Sequence, residues 1–184
     1  LNGDPYFHLT IIQKAADGGT LGYRDLAFTK TNVINPAYTY PVWHVFLASL
    51  AKIFSVSILT VWSNIVYTLI IITILVWYFL AKTIFIKKEW AVLALSCFLI
   101  FTFYAGPGYL FSRLGVPDTL SQLILLPLAI GFSLKYIFEA DKKLLLLVLI
   151  LSLTLILIHA PHYFYLLLTI VFFGIIFAFF KFKD

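Results

Sequence analysis

Long apolar runs separated by short polar punctuation dominate the chain. Five runs approach the ~20 residues that a helix needs to cross a bilayer: Ile58 to Ala81, Trp90 to Ala105, Thr119 to Phe138, Leu144 to His159, and Tyr163 to Phe180. The second and fourth are short and must borrow length from their flanks. A sixth apolar stretch, Val42 to Phe54, would cover only about 20 Å as a helix, against a hydrocarbon core of about 30 Å. His44, Ser49 and Lys52 interrupt it, and Pro41 suits a helix start. It reads as an amphipathic helix lying on or dipping into the membrane surface. The pattern predicts an all-α integral membrane protein. Residues 1–57 would form an external loop with amphipathic juxtamembrane helices, and residues 58–184 a polytopic bundle of about five spans.

Composition strengthens this reading. The chain is 62% hydrophobic and 11% charged, with a mean hydropathy of +1.03, whereas a soluble domain carries about 25% charged residues. Aromatic residues make up 18%, which suits rings placed at lipid headgroups. The net charge of +5 comes from lysines in short clusters between apolar runs, with no basic arm or stripe, so nucleic acid is not an expected partner. Cys97 is the single cysteine, which excludes an intrachain disulfide and a cysteine-based metal centre. The chain begins at Leu1 and contains no methionine, so it is expected to be a fragment of a longer product.

Charge then orients the spans. With the first loop and the start of the first span on one side, Lys82, Lys87, Lys88, Lys135, Lys142, Lys143, Lys181 and Lys183 all fall on the opposite side. The other short loops hold only Arg113. By the positive-inside rule the lysine face is cytoplasmic, and residues 1–40 with Asp118 face outward.

The outer face then gathers Asp4, His8, Asp17, Arg24, Asp25, Arg113, Asp118, His159 and His162. Asp118 follows Pro117 at the start of a span, where a carboxylate complements the helix dipole; alternatively it caps that helix. Asp4 lies in Gly3-Asp4-Pro5-Tyr6-Phe7-His8, a turn or helix opener. Two outward carboxylates could hold a divalent cation, Mg or Mn, which in turn would bind a lipid-linked phosphate. His159 and His162 could donate to phosphate, ligate metal, or simply end a span at the headgroups. Arg113 could grip a phosphate or touch lipid headgroups.

These segments resemble the GT-C class of polytopic glycosyltransferases, which includes oligosaccharyltransferase catalytic subunits and protein mannosyltransferases. Gly3 to His8 resembles the acidic motif after that class's first span. Tyr40-Pro41-Val42-Trp43-His44 resembles the surface helix that ends the first external loop. Gly115-Val116-Pro117-Asp118-Thr119-Leu120, continuing to Leu125-Leu126-Pro127-Leu128, resembles the second acidic motif. The resemblance implies that Asp4 is the catalytic carboxylate acting on the acceptor and that Asp118 binds metal or donor phosphate. It also implies that His159 or His162, with Arg113 and His8, lines the donor site, that the donor is a sugar on a polyprenyl phosphate or pyrophosphate, and that a span before Leu1 and a C-terminal part after Asp184 complete the protein. The pattern departs at Ser121 and Gln122, where oligosaccharyltransferases carry a second acid close after the first. A non-catalytic membrane module, such as a transporter half, and a lipid-carrier flippase or polymerase are the other readings. The span interiors offer Ser, Thr, Asn64 and Gln122 but no buried charge, which disfavours ion coupling.

Overall fold

The computed structural model describes residues 3–18, 40–102 and 113–181. Arg24, Asp25 and Lys183 lie outside the described residues, as do the end of the second expected span and the side chains of Asp4 and Lys181. The described elements are helical: α1 (Gly3–Ala16), α2 (Val42–Ile53), α3 (Ile58–Ile84), α4 (Lys88–Ile100), α5 (Pro117–Glu139) and α6 (Lys142–Lys181). Among the described residues α3, α5 and α6 are long and apolar enough to cross a membrane, and α2 is too short. The protein is an all-α membrane bundle.

Local chemistry sets the boundaries. Ser57 caps α3, its hydroxyl accepting from the Thr60 N–H at 3.1 Å. Ala140 takes the left-handed conformation (φ 52°) that ends α5. Within the helices, Thr73 and Ser133 donate back to the carbonyls of Leu69 and Ala129 at 2.8 and 2.7 Å, which satisfies hydroxyls that lipid could not. Residues such as Tyr67, Ile71, Leu75, Leu149, Leu153, Leu168 and Ile175 stand outward and exposed. Such a continuous apolar exterior calls for lipid as its solvent.

Helix α6 is 40 residues long and would measure about 60 Å if straight. It is not straight, because His159 leaves the helical region (φ −158°, ψ 86°) two residues before Pro161. Proline has no N–H to give the Leu157 carbonyl, and its ring crowds that carbonyl, so the helix breaks just upstream. The halves then pack on both sides of one neighbour: Leu155 from the first and Leu166 from the second bury with Ala129 of α5. His159 and His162 meet Asp118 at the start of α5, while Phe177 meets Phe138 near its end, with ring centroids 5.9 Å apart. The halves are therefore antiparallel, and the break falls where two separate spans were expected to meet.

Helix α3 runs alongside α5 in the same direction. Its early residue Trp62 lies on Gly115, where an added Cβ would come within 2.9 Å of the ring, and its later residue Phe79 lies on Gly131, where a Cβ would come within 2.5 Å. Glycine is required for these close approaches. Helix α4 returns antiparallel, Phe98 stacking on Trp77 at 3.9 Å. This alternation puts Lys82, Lys87, Lys88, Lys135, Lys142 and Lys143 at one end of the bundle. Helices α1 and α2, Arg113, Asp118, His159 and His162 occupy the other.

Candidate functional site

The site is assembled by a short segment, Arg113 to Val116, that delivers the start of α5. Trp43 on α2 donates its indole N–H to the Gly115 carbonyl at 2.7 Å, and Trp62 on α3 covers the Gly115 α-carbon. Val116 is fully buried in the cluster formed by Ile12, Leu47, Ala48, Ala51, Val61 and Trp62. Two indoles and an apolar cluster thus fix where α5 begins. Val116 is the residue before its first turn, and no side chain caps that turn. Asp118 is accordingly inside the first turn and does not act as the N-cap.

Its carboxylate turns instead to the break in α6. One oxygen, Oδ1, lies 3.7 Å from His159 Nε2 and 3.8 Å from His162 Nε2. The imidazoles meet each other through their Nδ1 atoms at 2.7 Å. Both histidines are buried and Asp118 is 44% exposed by side chain, so the carboxylate forms the open side of the group. The sequence expected His159 and His162 to be near one another. Their meeting with Asp118, about forty positions earlier, is supplied by the fold.

Directly below Asp118 the helix widens into a π-helical stretch, Ser121–Leu125. Such stretches often occur at functional sites. Here Pro127, four residues on, has no N–H to give the Leu123 carbonyl, which accepts the Trp77 indole N–H at 3.0 Å instead. Ser121, three residues after Asp118, is fully buried, and its hydroxyl has no hydrogen-bond partner among the described residues.

A second imidazole pair lies deeper. His8 Nδ1 and His44 Nε2 are 2.8 Å apart, their rings stacked with centroids 5.1 Å apart, and both residues are essentially inaccessible. Burial pushes His8 down to about 4, helped by the positive charge of Arg113 and by His159; burial, then His8, pushes His44 down to about 3. Both are neutral at physiological pH. His8 is therefore within electrostatic reach of Arg113 and His159, and all four histidines of the chain form two neighbouring pairs at one end of the bundle.

Asp4 is in the first turn of α1, four residues before His8 and on the same helical face. Its motif opens a helix, one of the two expected outcomes. His44 was visible in the sequence only as an interruption of the α2 apolar run. Its spacing with Leu47, Ala48 and Ala51 is that of a helix's inward face, and all four are buried. That periodicity was the available signal.

A cavity of about 460 Å³ lies elsewhere, between the end of α2 and the first half of α3, lined by Leu50, Phe54, Thr60, Val61, Asn64 and Ile65. It is an apolar groove with no ionisable side chain among its lining residues.

The model of a family of unknown function, DUF6541, matches residues 2–182, and the chain belongs to that family. No curated protein and no solved structure matches it.

Proposed function

We propose that this DUF6541 member is a glycosyltransferase that moves a sugar from a polyprenyl-phosphate or -pyrophosphate donor to an acceptor on the outer membrane face. The observation that carries the reading is the meeting of Asp118 with His159 and His162, at the end of the bundle that also holds Arg113 and the first turn of α1, where Asp4 lies. These are the positions for which the resemblance to GT-C enzymes implies a role, and they come from widely separated parts of the chain.

The chemistry is a displacement at the anomeric carbon. Asp4 engages the acceptor nucleophile and withdraws its proton as the new bond to that carbon forms. The bond from the carbon to the phosphate oxygen breaks, and the phosphate departs with the electron pair. It needs no proton if cationic groups stabilise it, a role for Arg113 and for a cation held at Asp118. The prenyl chain lies along the apolar exterior, for which the groove between α2 and α3 offers a lining of fitting chemistry.

In this reading α3, α4, α5 and the two halves of α6 are five crossings, with the lysine end cytoplasmic. Two single-cysteine proteins test the orientation. With Cys97 replaced, Asp17→Cys and Lys88→Cys should be labelled by a membrane-impermeant maleimide from opposite sides; labelling from one side rejects it.

Sugar transfer is tested in membranes holding the full-length protein, with labelled polyprenyl-linked sugar as donor. Asp4→Asn and Asp118→Asn should each lose about 100-fold or more of the transfer rate. Full transfer by both variants would remove the glycosyltransferase reading and leave a lipid-carrier flippase or polymerase as the better account.

A further inference from the structure

The Asp118 group brings two imidazole nitrogens and a carboxylate oxygen to face one another. When both histidines are neutral, the Nδ1 to Nδ1 contact of 2.7 Å uses a single proton: one ring donates and the other accepts. The accepting ring must then carry its own proton on Nε2, and the donating ring must present a bare Nε2 lone pair. Both Nε2 atoms face Asp118 Oδ1, at 3.7 and 3.8 Å. One lone pair therefore points toward a carboxylate oxygen across a gap too long for a hydrogen bond. A cation held between the imidazoles and the carboxylate, an extra proton or a metal ion, suits this arrangement.

The spacing and the donor types favour the metal. We propose that Asp118, His159 and His162 form a mononuclear site for a borderline first-row divalent cation of the Zn²⁺ type. One ligand atom from each residue lies within 4.8 Å of the other two. Two ligands on a tetrahedral ion with bonds of about 2.1 Å stand about 3.4 Å apart; the two carboxylate–imidazole gaps of 3.7 and 3.8 Å are close to that, and the widest gap, up to 4.8 Å, closes by rotation of the imidazoles at the helix break. Two imidazoles and one carboxylate match such an ion, whereas Mg²⁺ prefers oxygen ligands and its own waters. This changes the expected metal from Mg²⁺ or Mn²⁺ held by Asp4 and Asp118 to a softer ion held by Asp118 and the α6 break.

The backbone is arranged to suit. The break at His159 brings two imidazoles three residues apart to bear on one carboxylate from another helix. The half-exposed carboxylate leaves a coordination position open toward the outer end of the bundle, as in metal sites that act on a ligand. Buried Ser121, one turn further along α5, supplies an unused hydroxyl next to the site, of the kind that orients a metal-bound carboxylate or water. The use of the open position for a donor phosphate rests on the glycosyltransferase reading; the ion site itself does not.

The test uses purified full-length protein in nanodiscs, with Co²⁺ alone as a spectroscopic probe and Zn²⁺ as competitor. The expected result is one Co²⁺ per chain, with visible d–d bands of a four- or five-coordinate site, displaced by stoichiometric Zn²⁺ but not by millimolar Mg²⁺. Asp118→Asn, His159→Asn and His162→Gln should each weaken binding by about 100-fold or more while the protein stays monodisperse. His162→Cys, which restores a Zn²⁺ ligand, should recover binding and guards against a variant lost to misfolding. No Co²⁺ bound by the wild type at millimolar concentration means an imidazolium only and overturns the proposal. Unchanged spectra in all three variants place the ion elsewhere and overturn it too. Because no sugar is present, intact metal binding with absent sugar transfer would reject only the transferase reading.

Discussion

The two histidine pairs have the same composition and opposite settings. His8 and His44 are enclosed by α1, α2 and the Ile12–Leu47–Val61–Trp62 cluster, and burial keeps both uncharged. His159 and His162 sit at a helix break and face a half-exposed carboxylate. The first pair is shut away from solvent, whereas the second faces a carboxylate that solvent reaches, and such a pair can hold a cation. The difference teaches that burial alone does not mark a functional histidine. What matters is an unbalanced charge that solvent or a ligand can reach.

The largest effect that would sharpen this contrast is a charge forced into the closed pair. His44→Asp places a carboxylate against apolar residues and should destabilise the fold by about 3–5 kcal/mol, seen as loss of monodisperse protein on fluorescence size exclusion. Near wild-type behaviour would show that the pocket is wetter than its burial implies. A milder version is the cycle through His8→Phe, His44→Phe and the double variant. Each single change should cost about 1–3 kcal/mol by leaving a buried ring nitrogen unpaired, and the double variant less than the sum of the two; strict additivity would deny the pairing.

Acid should also discriminate. The folded pKa values of His8 and His44 lie below the ordinary 6.5, so the unfolded chain takes up protons that the folded chain refuses. Stability is then fully present above about pH 6.5 and falls as pH drops toward about 4. The thermal midpoint in detergent should show that slope, and the double phenylalanine variant should flatten it. An equal slope in the double variant assigns the acid sensitivity to other groups.

Smaller effects follow at the supports. Gly115→Ala brings a methyl to 2.9 Å from the Trp62 ring and should cost about 1–2 kcal/mol while shifting the start of α5, lowering Asp118-dependent activity more than stability. At the other end of the bundle Lys135 and Glu139 form a solvent-accessible ion pair at 3.4 Å. Lys135→Ala should move stability by no more than about 0.5 kcal/mol. A larger loss there would mean that the lysine end has a structural role beyond orientation.

Much of the fold was legible because lipid imposes length and polarity on each helix. The run from Ile58 was expected to end at Ala81 and continues to Ile84; the run expected from Thr119 starts two residues earlier, at Pro117. Such end shifts are turns of amphipathic sequence that apolar counting cannot assign. Proline in His159-Ala160-Pro161-His162 was enough to expect a break there. The site was legible only in part. Asp118, His159 and His162 stand out as polar residues at span ends, but their meeting depends on which helices pack side by side. His8 and His44 are 36 positions apart and pair through the packing of α1 on α2. The π-helical stretch from Ser121 does have a mark in the sequence, Pro127, which has no N–H for the Leu123 carbonyl, but that Trp77 would supply the missing donor depends on how α3 packs on α5.

The central claim is that the open cluster works and the closed pair only holds the fold. It is tested most directly by measuring sugar transfer from a polyprenyl-linked donor, per unit of folded protein, for Asp118→Asn and His44→Gln in matched membranes. The account predicts a loss of about 100-fold or more for Asp118→Asn and a change within about threefold for His44→Gln. Equal losses in the two variants, or undiminished transfer by Asp118→Asn, would contradict it.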